Sequence, residues 1–168
     1  SFSAVGTAYD VPSGDINVPA DAPTIQAAID IAPDGKTIVI APGTYYESID
    51  VSGRSNLTIQ SSAEPELTII DPQYTGRAFN LSGGSHYTID GFTLIHCGGS
   101  NFNGRGKAII AYEPSNTTLK NLIIKDTNVD GDNNYFGIIY SRFAGLNIEN
   151  VVIVDNVNTT GDNSSIIF

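Results

Sequence analysis

Apolar and polar positions along the chain recur with a period of about thirty residues. Short apolar stretches begin at Ile89, Leu119 and Ile148, and Ile59 precedes Ile89 by the same interval. Two residues into each of the three later copies stands a glycine or an asparagine. A fixed period of this length predicts a solenoid, because one repeat cannot bury its apolar face alone and must stack on its neighbours.

Within each period the pattern predicts three short strands of three to five residues, separated by Gly, Asn, Asp and Pro turns. Five sets of such strands follow one another, the last incomplete, and they begin at these segments: Ile38–Ile40, Leu67–Ile70, Phe92–Ile95, Leu122–Lys125 and Val151–Val154. Offsets near thirty residues disfavour an ordinary antiparallel meander. The sequence therefore predicts an all-β parallel β-helix of about five coils.

A short amphipathic helix is predicted just before the strands, over about residues 23–32. Asp21 is a plausible N-cap, Pro23 falls in the first turn, and Pro33-Asp34-Gly35 ends the helix. An apolar stripe at helical spacing would cover the open end of the first coil, as terminal caps do in repeat proteins. We therefore divide the chain into an N-terminal arm, residues 1–18, with the character of an extended arm or an edge strand, and a β-helix domain, residues 19–168.

Three segments carry a resemblance to a known class of proteins. Pro23–Asp30 and Ile38–Glu47 resemble the N-terminal signature of the right-handed parallel β-helix proteins of the pectin-lyase-like class, above all pectinesterases and large β-helix surface proteins of archaea and bacteria. Thr88–Leu94 is similar to the repeat unit of those surface proteins. The resemblance spans roughly Ile16 to Phe168 and implies a right-handed coil. It implies no single activity, because this fold carries lyases, hydrolases, esterases, adhesins and structural proteins.

Charge narrows the classes of partner. Eight basic and eighteen acidic residues give a net charge of −10, which disfavours nucleic acid, because phosphate contacts need clustered Lys and Arg. No apolar run approaches the roughly 18–20 residues that span a bilayer. The chain begins at Ser1 and contains no Met, so we expect a processed N-terminus and an extracellular or cell-surface location; a segment trimmed from a larger protein is the alternative.

Motifs of known β-helix enzymes are absent from the sequence. It contains neither the Asp-Phe-Ile-Phe-Gly-like block of pectinesterases nor the Gly-His-Gly of polygalacturonases. The two histidines, His86 and His96, have no accompanying Ser and Asp motif and are interpreted as polar residues on the coil exterior or in turns. The sequence thus offers no recognisable catalytic constellation, which leans the prediction away from an enzyme.

One acidic segment has the spacing of a calcium loop. Asp126, Asn128 and Asp130 follow an Asp-x-Asn-x-Asp-Gly pattern, in which the glycine supplies a sharp turn, and Asp132 comes directly after that glycine as a fourth candidate ligand. The glutamate expected at the twelfth position is replaced by Gly137. Ca²⁺ is therefore a candidate cofactor, and a set of solvated turns is the alternative, since Asn and Asp tolerate left-handed backbone conformations.

Surface chemistry suggests glycans. Asn-x-Ser/Thr sequons predict glycosylation at four positions in turns, while a fifth, Asn80, falls inside a strand and is a weaker candidate. The four are Asn56, Asn116, Asn158 and Asn163. Several tyrosines on coil surfaces could also stack on sugar rings, so a polysaccharide is a candidate ligand.

The last residues form an apolar strand with no further coil in the sequence. Ile166, Ile167 and Phe168 are predicted assembly residues, because an open coil exposes unpaired main-chain groups above an apolar core. Cys97 is either a buried small residue or, as a lone cysteine, an intermolecular link. We therefore expect an extracellular structural protein that forms homo-oligomers or polymers through open β-helix ends, as a filament, sheath or surface layer, with the N-terminal arm a candidate donated strand. The alternative is the N-terminal part of a polysaccharide-active or carbohydrate-binding β-helix protein, whose catalytic coils would follow Phe168.

Overall fold

A computed structural model of the chain describes residues 11–99, 105–113, 116–129, 137–142, 145–157 and 165–167, the last of these by backbone only. Its helices are α1 (Ile25–Ile31) and a 3₁₀ turn (Pro65–Leu67). Its strands are β1 (Ile16–Val18), β2 (Thr37–Ile40), β3 (Gly43–Tyr45), β4 (Ile49–Asp50), β5 (Thr58–Ser61), β6 (Thr68–Ile70), β7 (Phe79–Asn80), β8 (Thr88–Leu94), β9 (Ile109–Tyr112), β10 (Thr117–Ile124), β11 (Gly137–Arg142), β12 (Leu146–Ile153) and β13 (Ser165–Ile167).

All strand pairs are parallel and connect successive coils. The first sheet, which we call the long ladder, runs in the order β1-β2-β5-β8-β10-β12, with β3 and β6 beside it. The second sheet runs β13-β11-β9-β7-β4. Each strand pairs with the strand one coil away, which is the arrangement of a parallel β-solenoid. The predicted fold class is confirmed.

The predicted number of coils is slightly too high. The register pairs Ile59 with Ile89, Ile89 with Leu119 and Leu119 with Ile148, so about three turns carry the full repeat. Before them, Ile16 pairs with Ile38 and Ile38 pairs with Ile59, and both of these steps are clearly shorter along the chain than the repeat. The connection from β1 to β2 contains α1 in place of further strands, so the chain near the N-terminus does not form a full three-stranded coil.

Helix α1 is shorter than predicted, and its N-cap is Thr24 instead of Asp21. The Thr24 hydroxyl accepts the Ala27 N–H at 3.0 Å, while the Glu47 carboxylate accepts the N–H groups of Ile25 and Gln26 at 3.0 and 2.9 Å. These acceptors satisfy donors that the first turn of a helix leaves free. Asp21 is engaged elsewhere, on β1. The predicted covering role is confirmed, since the apolar stripe of α1 is buried in the core.

The core is a stack of equivalent side chains. Ile59, Ile89 and Leu119 occupy one register position in successive coils and have no solvent exposure. The rings of Phe79 and Phe92 pack with their centroids 5.9 Å apart. Each fully buried side chain of this kind contributes about 1.5–3 kcal/mol relative to its exposed state. The interior of the solenoid is therefore a continuous apolar column.

Left-handed residues define the corners of the coils. Three positions around the long ladder have φ between 50° and 82° in successive coils, and each position forms a column along the solenoid. These columns are Asn56-His86-Asn116, Gly91-Asn121-Asn150 and His96-Asp126-Asp155. Gly, Asn and Asp are the residues that adopt this conformation at least cost. The corners thus explain why these residue types recur with the repeat.

Candidate functional site

The C-terminal end of the long ladder exposes the interior of the solenoid. Within β10, Leu119, Leu122 and Ile124 point inward and are fully buried. Their register partners in β12 are Ile148, which is 37% exposed, and the half-buried Val151 and Ile153. The same inward positions are therefore covered in one coil and open in the next.

The outer edge of β12 is also open in the part of the chain that the structure describes. There β12 is the last strand of the long ladder and pairs only with β10. Three further apolar side chains at this end are exposed: Val152, Val154 and Val157. A strand edge with apolar neighbours is a template for pairing with another strand.

The N-terminal end of the same ladder is closed by the chain itself. The Asn17 N–H donates to the Asp21 carboxylate at 2.8 Å, and the Asp21 N–H donates to the Asn17 carbonyl at 2.7 Å. The Asn17 side chain also donates to the same carboxylate at 3.0 Å. These hydrogen bonds, the backbone one foremost, lower the pKa of Asp21 below its ordinary value. Asp21 thus occupies both main-chain groups of the central residue of β1.

The predicted assembly strand is formed at the corresponding end of the second sheet. Ile166 and Ile167 lie in β13, which pairs with β11 through Gly137 with Ser165 and Ile139 with Ile167. Phe168 lies outside the described residues. Both sheets therefore reach their last described strand at the same end of the solenoid.

Cys97, the other predicted assembly residue, is buried in the core. Its thiol donates to the Ile95 carbonyl at 3.5 Å, and burial raises the pKa of Cys97 to about 12. A neutral buried thiol is a poor nucleophile, because the thiolate is the reactive form. Of the two interpretations of Cys97, the buried small residue agrees with the structure, and an intermolecular disulfide would require the core to open.

The predicted calcium ligands are only partly within the described residues. Asp126 is exposed at a coil corner, and Asn128 lies between Gly98 and Val157 in a short bridge of neighbouring coils. Asp130 and Asp132 lie outside the described residues. Among the residues described, no group of three or more His, Cys, Asp or Glu side chains is placed to hold a metal ion. Calcium binding by this loop stays a prediction.

Two of the four predicted glycosylation sites lie within the described residues. Asn56 and Asn116 are exposed and belong to one corner column, and the Asn116 amide contacts Nε2 of His86 at 3.2 Å. Asn158 and Asn163 lie outside the described residues. Asn80 is half-buried and donates to Asp50 at 3.1 Å. Glycosylation at these two exposed positions stays a prediction.

Sequence reasoning missed a histidine–aspartate pair. His96 Nδ1 and the Asp71 carboxylate lie 3.0 Å apart, with Asp71 nearly buried and the Tyr74 ring 4.9 Å from the imidazole. The Gln73 N–H donates to the other Asp71 oxygen at 2.8 Å. The sequence separation of the pair, a little less than one coil, is the only signal that sequence carries. The pair fixes the imidazole orientation and links two coils at a corner.

A second feature missed from sequence is a polar depression beside the Gly91-Asn121-Asn150 corner. It encloses about 300 Å³ and is lined mainly by polar side chains, among them Ser61, Glu64, Asp90, Asn121 and Asn150. Asn150 donates to Asn121 at 2.9 Å, Asn121 donates to Asp90 at 2.7 Å, and Lys120 lies 3.2 Å from Asp90. Carboxylates held in this way can accept hydrogen bonds from a hydroxyl-rich ligand, and the amides can both accept hydrogen bonds from it and donate them to it.

Comparison of the chain with protein-family models, curated proteins and solved structures gives no significant match. In the described part of the chain, no helix is long and apolar enough to cross a membrane. The architecture and the two contrasting ends of the ladder are therefore the main basis for a functional proposal.

Proposed function

We propose that this chain is an extracellular structural protein, related to the pectin-lyase-like β-helix surface proteins, that self-associates through the open end of its solenoid. The observation that carries the proposal is the exposure of inward-facing residues of β12, whose counterparts one coil earlier are fully buried. Burying such residues against a partner gains free energy at about 25 cal/mol per Å² of apolar surface. Association would complete the apolar column that the last described coil leaves open.

Surface charge and chemistry support the extracellular part of the proposal. The net charge of −10 favours solubility and disfavours adhesion to nucleic acid. Asn56 and Asn116 are exposed sequons on one corner column, and Asn116 lies beside Gly145 and Leu146 at the start of β12. A glycan at Asn56, two coils earlier in that column, would leave the open end of the solenoid free to associate.

Sedimentation of the purified chain over a wide concentration range tests the proposal. We expect the weight-average mass to rise above that of a monomer, and Ile148→Lys to abolish the rise, because a charge would then have to enter the apolar contact. Tyr46→Lys is the matched control: Tyr46 is 64% exposed and adjoins Glu47, which accepts from the first turn of α1 at the opposite end of the solenoid. A monomer at every concentration, in low and high salt, would contradict the proposal.

The polar depression at the Asn121 corner favours a second candidate function, carbohydrate binding. Its carboxylates, Glu64 and Asp90, suit neutral or amino sugars better than acidic ones, because a polyanion would be repelled. Affinity electrophoresis in neutral, amino-sugar and acidic polysaccharides tests this candidate. Retardation that Glu64→Gln weakens and the exposed control Glu113→Gln preserves would support it; equal mobility in all gels would reject it.

A further inference from the structure

We propose that the partner of the open end is the β12 strand of a second copy of this chain, paired antiparallel about a two-fold axis, so that two solenoids meet tail to tail. The inference rests on the proposed function, self-association through this end, and specifies its geometry. A two-fold contact uses the same surface on both molecules and closes at two copies.

The first step is the state of the opposite end. A head-to-tail contact would extend the long ladder by placing β1 of one molecule on β12 of the next. The central residue of β1, Asn17, already has its N–H and its carbonyl bonded to Asp21. Ile25 and Ile29 of α1 are buried against the core at the same end. Among the described residues, this end therefore offers neither a free edge at Asn17 nor an open apolar face at α1.

The second step is the order of inward-facing residues in β12. The register with β10 places Leu146 and Ile148 inward before the corner, and Val151 and Ile153 inward after it. The alternation shifts by one residue at Asn150, whose φ is 50°. The inward positions are consequently symmetric about the midpoint between residues 149 and 150.

The third step follows from that symmetry. Residues directly opposite each other in an antiparallel pair point to the same face of the sheet. A two-fold axis between residues 149 and 150 would set Leu146 opposite Ile153 of the second copy, and Ile148 opposite Val151. Every inward apolar residue would then meet another inward apolar residue, and the two interiors would join into one core. Shifting the pairing by one residue would set inward positions against outward ones and lose this match.

Charge is compatible with the same pairing. Glu149 would lie opposite Asn150 of the second copy instead of opposite the other Glu149. Carboxylates directly opposite each other in a sheet are destabilising, whereas a carboxylate opposite an amide is not. The symmetric register therefore places the two Glu149 residues one position apart across the pair and not directly opposite each other.

Cysteine pairing provides the sharpest test. Ile148→Cys and Val151→Cys are prepared as separate full-length proteins and oxidised alone and as a mixture. In the proposed register, positions 148 and 151 of different copies have Cα atoms about 4.5–5.5 Å apart, within the range of a disulfide. Identical positions lie about 10 Å apart, since they are offset by three residues. We expect a covalent dimer mainly in the mixture, and Cys97 does not compete because it is buried.

A second variant tests whether the N-terminal arm, and not β12, forms the contact. Val5→Pro changes a residue of the arm and would hinder donation of the arm as a strand, because proline cannot donate a ladder hydrogen bond. Tail-to-tail pairing predicts no change in the dimer, whereas loss of association would overturn it in favour of arm donation. Circular dichroism and thermal melting of each variant exclude misfolding as the cause.

Sedimentation of the unmodified protein separates the possible outcomes. A mass that levels off at two copies, with the mixed disulfide, supports both the proposed function and the tail-to-tail geometry. A mass that keeps rising with concentration, without the mixed disulfide, supports self-association but overturns the two-fold pairing. A monomer throughout overturns both.

Discussion

At the N-terminal end of the long ladder, both main-chain groups of Asn17 are bonded to Asp21, whereas at the C-terminal end the inward residues of β12 remain partly exposed. The two ends belong to one sheet and one apolar column, so the difference is not one of composition. It arises because one end has a helix and a returning carboxylate. The N-terminal end is thus closed by local contacts within a few residues of β1, whereas β12 pairs on one side only in the described part of the chain.

The N-terminal cap has two parts with separate functions. Helix α1 covers the apolar interior, while Asp21 satisfies the polar edge of β1. Neither would suffice alone, because an exposed edge and an exposed apolar face are separate routes to association. At β12 both remain open among the described residues, which makes this end the stronger candidate for an interface.

The largest expected effect compares one substitution in two coils. Ile89 and Ile148 occupy the same register column, but Ile89 is fully buried and Ile148 is 37% exposed. Ile89→Ala should lower the free energy of unfolding by about 2–5 kcal/mol, because it leaves a cavity in the core. Ile148→Ala should cost about 0.5 kcal/mol at low protein concentration. Urea unfolding of both variants measures the difference.

Protein concentration sharpens that comparison. If β12 pairs with a second copy, the cost of Ile148→Ala should increase at concentrations where the dimer forms, since the side chain is then buried. The cost of Ile89→Ala should not change. Equal costs for the two variants at low concentration would mean that the last coil is as well covered as the middle one.

Weakening the closed end should have a smaller effect. Thr24→Ala removes the hydroxyl that accepts the Ala27 N–H and should cost about 1 kcal/mol. Thr44→Ala, at an exposed position of β3, is the control for the substitution itself. Urea midpoints give the comparison. The Glu47 carboxylate continues to accept two other N–H groups of α1, so complete loss of folding would contradict this assignment of the cap.

One inward residue near the open end is polar, and its replacement should stabilise the chain. Thr117 of β10 is fully buried, and its hydroxyl has no hydrogen-bond partner. Thr117→Val keeps the shape and removes the unsatisfied group, so we expect a gain of about 1 kcal/mol. Thr88→Val, at the equivalent half-buried position one coil earlier, should change stability by no more than about 0.5 kcal/mol. Thermal unfolding of both variants checks the prediction, and a loss of stability in Thr117→Val would refute it.

Sequence periodicity was sufficient for the fold because the physical cause is repeated in every coil. Ile59, Ile89, Leu119 and Ile148 recur because each faces the same interior, and Gly, Asn, Asp or His recurs at the corners because each corner has a positive φ. The number of coils was harder to predict, because the first two steps from one ladder strand to the next are shorter than the repeat, and one of them contains a helix. A count based on apolar segments cannot distinguish such a short step from a full turn of the solenoid.

The candidate site depended on contacts between segments that sequence does not align. Asp21 was predicted to cap α1, yet it bonds Asn17, because Thr24 lies closer to the first helical residue and takes the capping position. The pair of Asp71 and His96 joins two coils without a motif. The mirror order of inward residues in β12 became visible only when the register showed that Asn150 shifts the alternation.

The smallest expected effect is a dependence of the closed end on pH. Hydrogen bonds from the Asn17 backbone and side chain lower the pKa of Asp21 below its ordinary value of 3.8. A depressed pKa means that the folded state favours the carboxylate, so its stabilisation is fully present above pH 3.8 and is lost as the pH falls through the lower folded pKa. Asp21→Asn keeps the shape but has no charge to lose. The difference in melting temperature between the unmodified protein and this variant should therefore be constant above about pH 5 and shrink towards about pH 2. Taking the difference cancels the titration of the other carboxylates, so a difference that stays the same at low pH would show that Asp21 does not close this end through its charge.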